Sequence, residues 1–246
     1  MPSPHTAFIS GAGRNIGRAI ALRLAEAGHR VIVNGSRDRA AIEAVADEIR
    51  AAGGEAQALL GDVGRPEEVV RMARETGAQA GPVTILVNNA AIRPVTPFLE
   101  MSDDECRRVL DVDLMSAIWT ARAFLPGMVE RGWGRIVNLT GMNAIHGYAG
   151  RAPVSVAKHG LWGLSKALAK EFGPQGVTVN AISPGPIASD DPDSAAGRHA
   201  WEQLARIPVG RLGRPQDIAA MVALLVSEEG GFVNGQMLAV NGGTQT

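Results

Sequence analysis

Residues 8–27 read FISGAGRNIGRAIALRLAEA, a short apolar run, a glycine-rich turn and then a stretch with helical spacing. Glycines permit a tight turn and let the backbone approach a pyrophosphate, which then lies on the N-terminus of the following helix. A glycine-rich stretch alone is also compatible with a simple strand-to-helix turn. Its meaning therefore depends on the pattern in the rest of the chain.

That pattern alternates buried-strand runs with helical stretches. Strands are predicted at 8–10, 30–34, 56–60, 83–88, 135–139, 177–182 and 237–240. Helices are predicted at 18–27, 42–52, about 66–78, 103–131, 153–172 and 215–227. The alternation predicts an α/β protein with a doubly wound parallel sheet of the Rossmann type, in three layers. We expect one domain over 1–246, with a mobile substrate loop at about 188–210.

Composition excludes several classes of protein. The 246 residues are 46% hydrophobic and 20% charged, with a net charge of −1, which argues against nucleic acid or a membrane surface as the main partner. One cysteine, Cys106, excludes an internal disulfide and suits the cytoplasm. The N-terminus lacks the pattern of a secretion signal. Five scattered histidines show no metal-ligand spacing, so no metal site is predicted.

Several segments resemble motifs of the short-chain dehydrogenase/reductase family, over nearly the whole chain. Residues 10–17, SGAGRNIG, are similar to its Thr-Gly-x-x-x-Gly-x-Gly turn, with Ser10 for Thr and Asn15 for the middle glycine. Asn tolerates left-handed backbone, so the turn can survive. The other segments are DV at 62–63, NNAA at 88–91, SPGPI at 183–187, NGQ at 234–236 and NGG at 241–243.

The resemblance implies a nicotinamide dinucleotide cofactor. The cofactor-binding residues that we predict are Gly11, Arg14, Asn15, Ile16, Gly17, Ser36, Arg37, Asp62, Val63, Asn89, Ala90, Lys158, Pro184, Gly185 and Ile187. NAD enzymes usually carry a carboxylate after the second strand, where this chain has Gly35. Arg14 and Arg37 can bind a 2′-phosphate in a fork, although both can also be ordinary solvated arginines. NADP(H) is therefore favoured over NAD(H).

The catalytic positions of the family are altered. The resemblance implies an Asn, Ser, Tyr and Lys tetrad, and this chain has Asp113, Gly141, Val154 and Lys158 there. Thr140 keeps a hydroxyl one residue early, but it should point to the opposite face of its strand. Reduction of a ketone produces an alkoxide that needs a positioned acid, and valine offers no proton. Ordinary carbonyl reduction by the usual route is not expected.

Two other proton routes remain open. Peroxisomal 2,4-dienoyl-CoA reductases also lack the tyrosine and pair an Asp with the Lys, and the resemblance suggests that Asp113 and Lys158 hold a water that donates the proton. Alternatively Tyr148, the only tyrosine, or His146 supplies it from the neighbouring loop. Both residues can instead simply shape the pocket. Asp113, Lys158 and Tyr148 are thus the candidate catalytic residues.

The leading prediction is an NADP(H)-dependent oxidoreductase with a proton route that does not use tyrosine, acting on an activated C=C bond or an unusual carbonyl. The alternatives are an isomerase or lyase that keeps the cofactor, and an inactive partner subunit. The family resemblance implies a homotetramer or homodimer through the 103–131 and 153–172 helices. The substrate is expected to be a small molecule with pocket walls at 92–99, 142–153 and 188–210. Asp190, Asp191 and Asp193 would disfavour an anion if they faced that pocket.

Overall fold

The computed structural model describes residues 5–245, apart from the side chains of residues 195 and 196. Residues 1–4 and 246 of the predicted domain, 1–246, lie outside the described residues. Residues 1–4 are also the start of the N-terminal segment in which no secretion signal is predicted. Within these residues no helix is long and apolar enough to cross a membrane.

Seven parallel strands form one sheet in the order β3-β2-β1-β4-β5-β6-β7. The strands are β1 (Thr6–Ile9), β2 (Arg30–Gly35), β3 (Ala56–Leu60), β4 (Val83–Asn88), β5 (Gly134–Leu139), β6 (Val177–Pro184) and β7 (Met237–Val240). The direction of winding reverses between β1 and β4, which is where open α/β sheets bind ligands. The predicted Rossmann-type parallel sheet is confirmed.

Helices cover both faces of the sheet. They are α1 (Asn15–Glu26), α2 (Arg39–Ala51), α3 (Pro66–Ala80), α4 (Asp103–Leu110), α5 (Ser116–Glu130), α6 (Ala152–Phe172), α7 (Ala195–Glu202) and α8 (Pro215–Val226). Side chains on each strand alternate between the faces, as Ile9 and Phe8 do. The core on one face includes residues of α1, α2 and α8, and the core on the other includes residues of α3, α5 and α6.

Two sequence predictions were wrong in this region. The helix predicted over 103–131 is interrupted by a π-helical segment, Asp111–Met115, between α4 and α5. Such segments insert one extra residue per turn and occur often at functional sites. The loop predicted over about 188–210 contains α7, which begins after Ser194, whose hydroxyl accepts the N–H of Gly197 as an N-cap.

Candidate active site

A cleft of about 940 Å³ lies along the carboxyl ends of the strands. Every predicted cofactor residue lines it, from the glycine-rich turn after β1 to Ile187 after β6. Of the predicted catalytic residues, Lys158 and Tyr148 also line this cleft. The three predicted pocket walls each contribute to it, for example through Arg93, Arg151 and Gln203.

The glycine-rich turn has a backbone that only certain residues adopt. Gly11 has φ +64° and a Cβ there would lie 3.0 Å from the Cα of Ala90. At Gly17 a Cβ would lie 2.2 Å from the carbonyl oxygen of Gly11, so the helix and turn pack without space for a side chain. Asn15 has φ +47° and is the one described residue other than glycine with positive φ. The expectation that asparagine can serve in this turn is therefore confirmed.

Ser10 and Asn89 hold the turn against the end of β4. The Ser10 hydroxyl accepts the backbone N–H groups of Asn89 and Ala90, each at 3.0 Å. The Asn89 side chain donates to the carbonyl oxygens of Ser10 and Gly11 at 3.0 and 2.9 Å. The hydroxyl of Ser10 therefore links the glycine-rich turn to the end of β4. Asn89 shapes the cofactor turn as well as lining the cleft.

The glycine-rich turn is also joined to the loop after β6. The backbone N–H of Asn15 donates to the Asp190 carboxylate at 2.7 Å, and the N–H of Asp190 donates to the Asn15 side-chain oxygen at 2.8 Å. Asn15 is the first residue of α1, where backbone N–H groups lack partners within the helix. Asp190 therefore occupies an anion position at a helix N-terminus. No motif or spacing indicated this pairing.

The end of the cleft next to β2 is lined by two arginines and by one acid, Asp38, which caps α2. Arg14 and Arg37 are exposed and line the cleft. The nearest carboxylate in sequence, Asp38, accepts the N–H of Ala41 as the N-cap of α2. A Cβ at Gly35 would lie 2.7 Å from the Ile42 side chain, so an acidic side chain does not fit there without a shift. The residues present fit a 2′-phosphate better than a bare ribose hydroxyl.

The predicted adenine pair lies after β3, the strand next to β2. Asp62 and Val63 follow β3 and line the cleft. The Asp62 carboxylate accepts a hydrogen bond from the Arg108 guanidinium at 2.6 Å and from the N–H of Gly64 at 2.9 Å. The ion pair with Arg108 fixes the orientation of the loop and leaves Val63 as its apolar side.

Lys158 and Asp113 form a buried pair at the inner end of the cleft. The Lys158 ammonium lies 3.5 Å from Asp113 Oδ2 and donates to the carbonyl oxygen of Leu139 at 3.0 Å. Asp113 Oδ1 accepts the N–H of Ile92 at 2.8 Å, and Oδ2 has no hydrogen-bond partner within residues 5–245. Burial lowers the pKa of Lys158, and the charge of Asp113 opposes that shift.

The two residues of the pair differ in depth. Lys158 lines the cleft, whereas Asp113 is not among the lining residues of the described chain and its side chain is fully buried. Asp113 belongs to the π-helical segment, which places it behind the lysine. The family resemblance suggested that Asp113 and Lys158 together hold a water that donates the proton. In the structure Lys158 reaches the cleft and Asp113 is its buried counter-ion.

The other two positions at which the resemblance implied a changed residue lie near Lys158. Val154 is 1% exposed and lines the cleft one turn before Lys158 on α6. Gly141 has φ +112°, and space is open where its Cβ would be. Thr140 also lines the cleft, and its hydroxyl donates to the carbonyl oxygen of Ile182 at 2.9 Å. Neither Val154, Gly141 nor Thr140 has a proton to offer the cleft.

Tyr148 and His146, the local alternatives, separate in the structure. Tyr148 lines the cleft, and its hydroxyl has no hydrogen bond to another described residue. His146 is exposed and is not a lining residue in the described chain. The hypothesis that His146 supplies a proton is therefore not supported by its position, whereas Tyr148 stays a candidate.

Comparison with known proteins agrees with this geometry. A family model described as enoyl-(acyl carrier protein) reductase matches residues 11–245. The chain belongs to the short-chain dehydrogenase/reductase family. A curated member, the 3-oxoacyl-(acyl-carrier-protein) reductase FabG of Staphylococcus epidermidis, is 39% identical over 240 residues, which are 97% of this chain and 98% of the relative. The corresponding reductase of Synechocystis is 36% identical over 238 residues, 96% of this chain and 95% of the relative.

Two solved structures of the family are also similar. One, from Beutenbergia cavernae, is provisionally named an NAD(P)-dependent gluconate 5-dehydrogenase and holds NADP at low occupancy. It has a TM-score of 0.90 and 39% identity, and the match covers 98% of this chain and 96% of that one. The other, from Agrobacterium tumefaciens, is provisionally named a gluconate dehydrogenase, with a TM-score of 0.90, 35% identity and coverage of 98% and 95%. The chain is thus an oxidoreductase of this family.

Two charged residues that line the cleft were not predicted from the sequence. Arg93 follows the Asn88–Ala91 segment, and Arg151 is the N-cap residue of α6. Both line the cleft near its inner end. They lie on irregular segments, where the direction of a side chain follows no period. The one available sign was their position within the predicted pocket walls.

Proposed function

We propose that this chain is an NADP(H)-dependent oxidoreductase whose proton route runs through Lys158 instead of a tyrosine. The substrate is a small molecule with an activated C=C bond or an unusual carbonyl. The observation that carries the proposal is the buried Lys158–Asp113 pair, which opens to the cleft only through the lysine, next to Val154. The family membership supports redox chemistry, and the altered site supports a different donor.

The cofactor proposal rests on the residues of the turn and of the β2 end. Bound NADP(H) supplies or accepts the hydride. In this chain the α1 N-terminus would hold the pyrophosphate, with Gly11 and Gly17 permitting the close approach. Arg14 and Arg37 would bind the 2′-phosphate, and Asp62 with Val63 would flank the adenine.

The proton step follows from the environment of Lys158. Reduction leaves negative charge on the substrate, which must be neutralised by a group within hydrogen-bond reach. The lowered pKa of Lys158 makes its ammonium a stronger acid than an exposed lysine, and Asp113 keeps it protonated. We propose that a water bound to Lys158 carries the proton to the substrate. An enolate from conjugate reduction is less basic than an alkoxide, so this weaker donor suffices for it.

Tyr148 is the second proposed donor, because its hydroxyl faces the cleft without another described partner. Tyr148→Phe removes the phenolic proton and keeps the ring. If Tyr148 is the donor, kcat falls while the KM of the substrate changes little. If Lys158 is the donor, kcat stays within about twofold of the parent enzyme, a change of under 1 kcal/mol.

The main experiment is Asp113→Asn, with Asp111→Asn as the matched control on the same π-helical segment. NADPH oxidation is followed with a 2-enoyl thioester, a 3-oxoacyl thioester and simple ketones, and NADP⁺ reduction is followed with gluconate. Since Asp113 raises the pKa of Lys158, its loss lowers that pKa and moves the alkaline limb of the rate profile to lower pH. The Asp111 variant should retain the parent profile.

Two results would contradict the proposal. If Asp113→Asn keeps both the rate and the pH profile, the Lys158 route is wrong although redox activity stands. If the protein binds NADPH but turns over none of these substrates, the oxidoreductase proposal fails. The isomerase, lyase or inactive-partner alternatives would then apply.

We also propose a single functional domain that assembles as a homodimer or homotetramer in the cytoplasm. The helices that would form the interface carry apolar side chains on their outer surfaces, such as Val156 on α6, which is 59% exposed. Trp119 and Trp162 are partly buried on the same helices. Light scattering coupled to gel filtration measures the assembly, and a monomer at micromolar concentration would contradict it.

A further inference from the structure

Arg93 lies at the inner end of the cleft, next to the buried pair. The preceding residue, Ile92, donates its N–H to Asp113, which fixes this part of the loop. The Arg93 side chain is open to the solvent of the cleft, yet protein surrounds it closely enough that desolvation lowers its pKa. The charge of Asp113 opposes this shift. Within residues 5–245 its guanidinium makes no hydrogen bond or close ion pair.

Arg151 reaches the same region from the other wall. Arg151 is the N-cap residue just before α6, and Val154 and Lys158 follow on the first turns of that helix. All three line the cleft. The Arg151 guanidinium also lacks a hydrogen-bond or ion-pair partner among the described side chains. Its charge contributes to the lowered pKa of Arg93, so the two guanidinium groups affect each other.

The loops that carry the two arginines are joined. The N–H of Thr96 donates to the carbonyl oxygen of Gly150 at 2.9 Å, so the 92–99 segment and the start of α6 are held together. The two backbone segments that carry Arg93 and Arg151 are therefore held side by side before any ligand binds. Preorganised groups lose less entropy on binding.

The charge at this end of the cleft is unbalanced. Lys158, Arg93 and Arg151 carry positive charges, and among the described residues Asp113 forms an ion pair with Lys158 alone of the three. The other titratable side chains that line the substrate end are Tyr148 and His199, and His199 lies 3.5 Å from Glu202. Placing another anion here would relieve the repulsion between the guanidinium groups.

The acids of the loop after β6 do not supply that anion. Asp190 is bonded to Asn15 at the α1 N-terminus. Asp191 and Asp193 are exposed and are not lining residues within the described chain. These three acids do not face the pocket, so they do not disfavour an anionic substrate there.

We propose that the substrate carries a carboxylate, which Arg93 and Arg151 bind beside the reacting carbon. This inference deepens the proposed function and rests on it, since it takes the Lys158 end of the cleft as the reaction site. Guanidinium groups match the planar geometry of a carboxylate. A carboxylate of the reacting molecule fits better than a phosphate of a carrier thioester, because Arg93 directly follows Ile92, whose N–H binds the Asp113 counter-ion of Lys158.

The test measures binding rather than turnover. Titration calorimetry, with and without saturating NADP⁺, compares gluconate with glucitol and crotonate with crotonamide. Each pair has nearly the same size and differs in the carboxylate. We expect the acid to bind at least about tenfold more tightly than its neutral counterpart, as charge-assisted hydrogen bonds require.

Variants assign the preference to the two arginines. Arg93→Gln and Arg151→Gln should each weaken binding of the acid about tenfold and leave binding of the neutral compound unchanged. Arg74→Gln, an exposed arginine of α3 outside the cleft, is the control for net charge. The inference is overturned if acid and neutral compound bind equally. It is also overturned if the preference survives both glutamine variants, or falls equally in the Arg74 variant.

The outcome is separable from that of the proposed function. If carboxylates bind through Arg93 and Arg151 but no substrate is reduced or oxidised, the redox proposal fails and the binding site stands. If Asp113→Asn loses turnover while acids are no better ligands than neutral compounds, the redox proposal stands and the carboxylate site fails.

Discussion

Replacing Asp190 by asparagine should tighten the binding of NADP(H). The Asp190 carboxylate accepts the N–H of Asn15 at 2.7 Å and so occupies the helix N-terminus that a pyrophosphate would use. The cofactor must displace this carboxylate or bind beside a like charge. Asparagine has the same shape without the charge, and the N–H of residue 190 can still donate to the Asn15 side chain.

The size of the effect follows from the position of the charge. A carboxylate at an exposed helix N-terminus is worth about 0.3–1 kcal/mol, and this contact adds one solvent-exposed hydrogen bond. We therefore expect a gain of about 1 kcal/mol in cofactor binding, which is about a fivefold lower Kd. Since both groups are exposed, salt should reduce the difference.

NADPH fluorescence titration at low and at high salt measures this change. Asp193→Asn, on the same loop, removes the same charge from an exposed side chain that is not a lining residue of the described cleft, and so serves as the control. The reasoning is refuted if the Kd of the Asp190 variant equals that of the control. A weaker affinity than the parent would show that Asp190 holds the loop over bound cofactor instead of competing with it.

Three further predictions concern packing and titration. Gly17→Ala should abolish NADPH binding and lower the free energy of unfolding in urea by about 1–3 kcal/mol, because a Cβ has no space there. Gly77→Ala, at a helical site with open space, should raise the free energy of unfolding by about 0.5–1 kcal/mol. Equal effects of the two variants would contradict the packing argument. Burial lowers the pKa of His29, so the contribution of the neutral imidazole to stability is complete above pH 6.5 and is lost as the pH falls. In His29→Gln the free energy of unfolding should therefore fall less steeply with decreasing pH than in the parent. An unchanged slope would count against this. Arg93 lowers the pKa of Lys158, so Arg93→Gln should move the alkaline limb of the pH profile of kcat to higher pH. An unchanged limb would show that Arg93 does not affect the pKa of Lys158.

The sheet was predictable because its strands are buried on both faces and read as continuous apolar runs. The error over 103–131 has a physical cause, since apolar spacing continues through the π-helical segment Asp111–Met115 and hides the extra residue. The helix Ala195–Glu202 was missed because Asp, Pro, Gly and Ser around it favour loops. Its N-cap Ser194 was the sign that could have revealed it.

The sequence motifs predicted which residues line the candidate site, but not how deeply each of them is buried. The motifs identified which residues meet at the strand ends, and every predicted cofactor residue lines the cleft. They could not show that Asp113 lies behind Lys158, because helical spacing gives a face of the helix and not the distance from a cavity. Arg93 and Arg151 lie outside regular periodicity, so only the folded loops bring them together.

The altered positions of the site depend on one another. A serine at Gly141 would have to adopt φ +112°, a backbone that costs an L-residue about 1–3 kcal/mol. Val154 is buried, so a larger side chain there must displace its neighbours or project into the cleft. Asp113 gives Lys158 a charged partner where the family pattern has a neutral amide, and it therefore retains the proton of Lys158 at higher pH. These constraints on backbone, packing and charge support the proposed route through Lys158 over a tyrosine site with one residue missing.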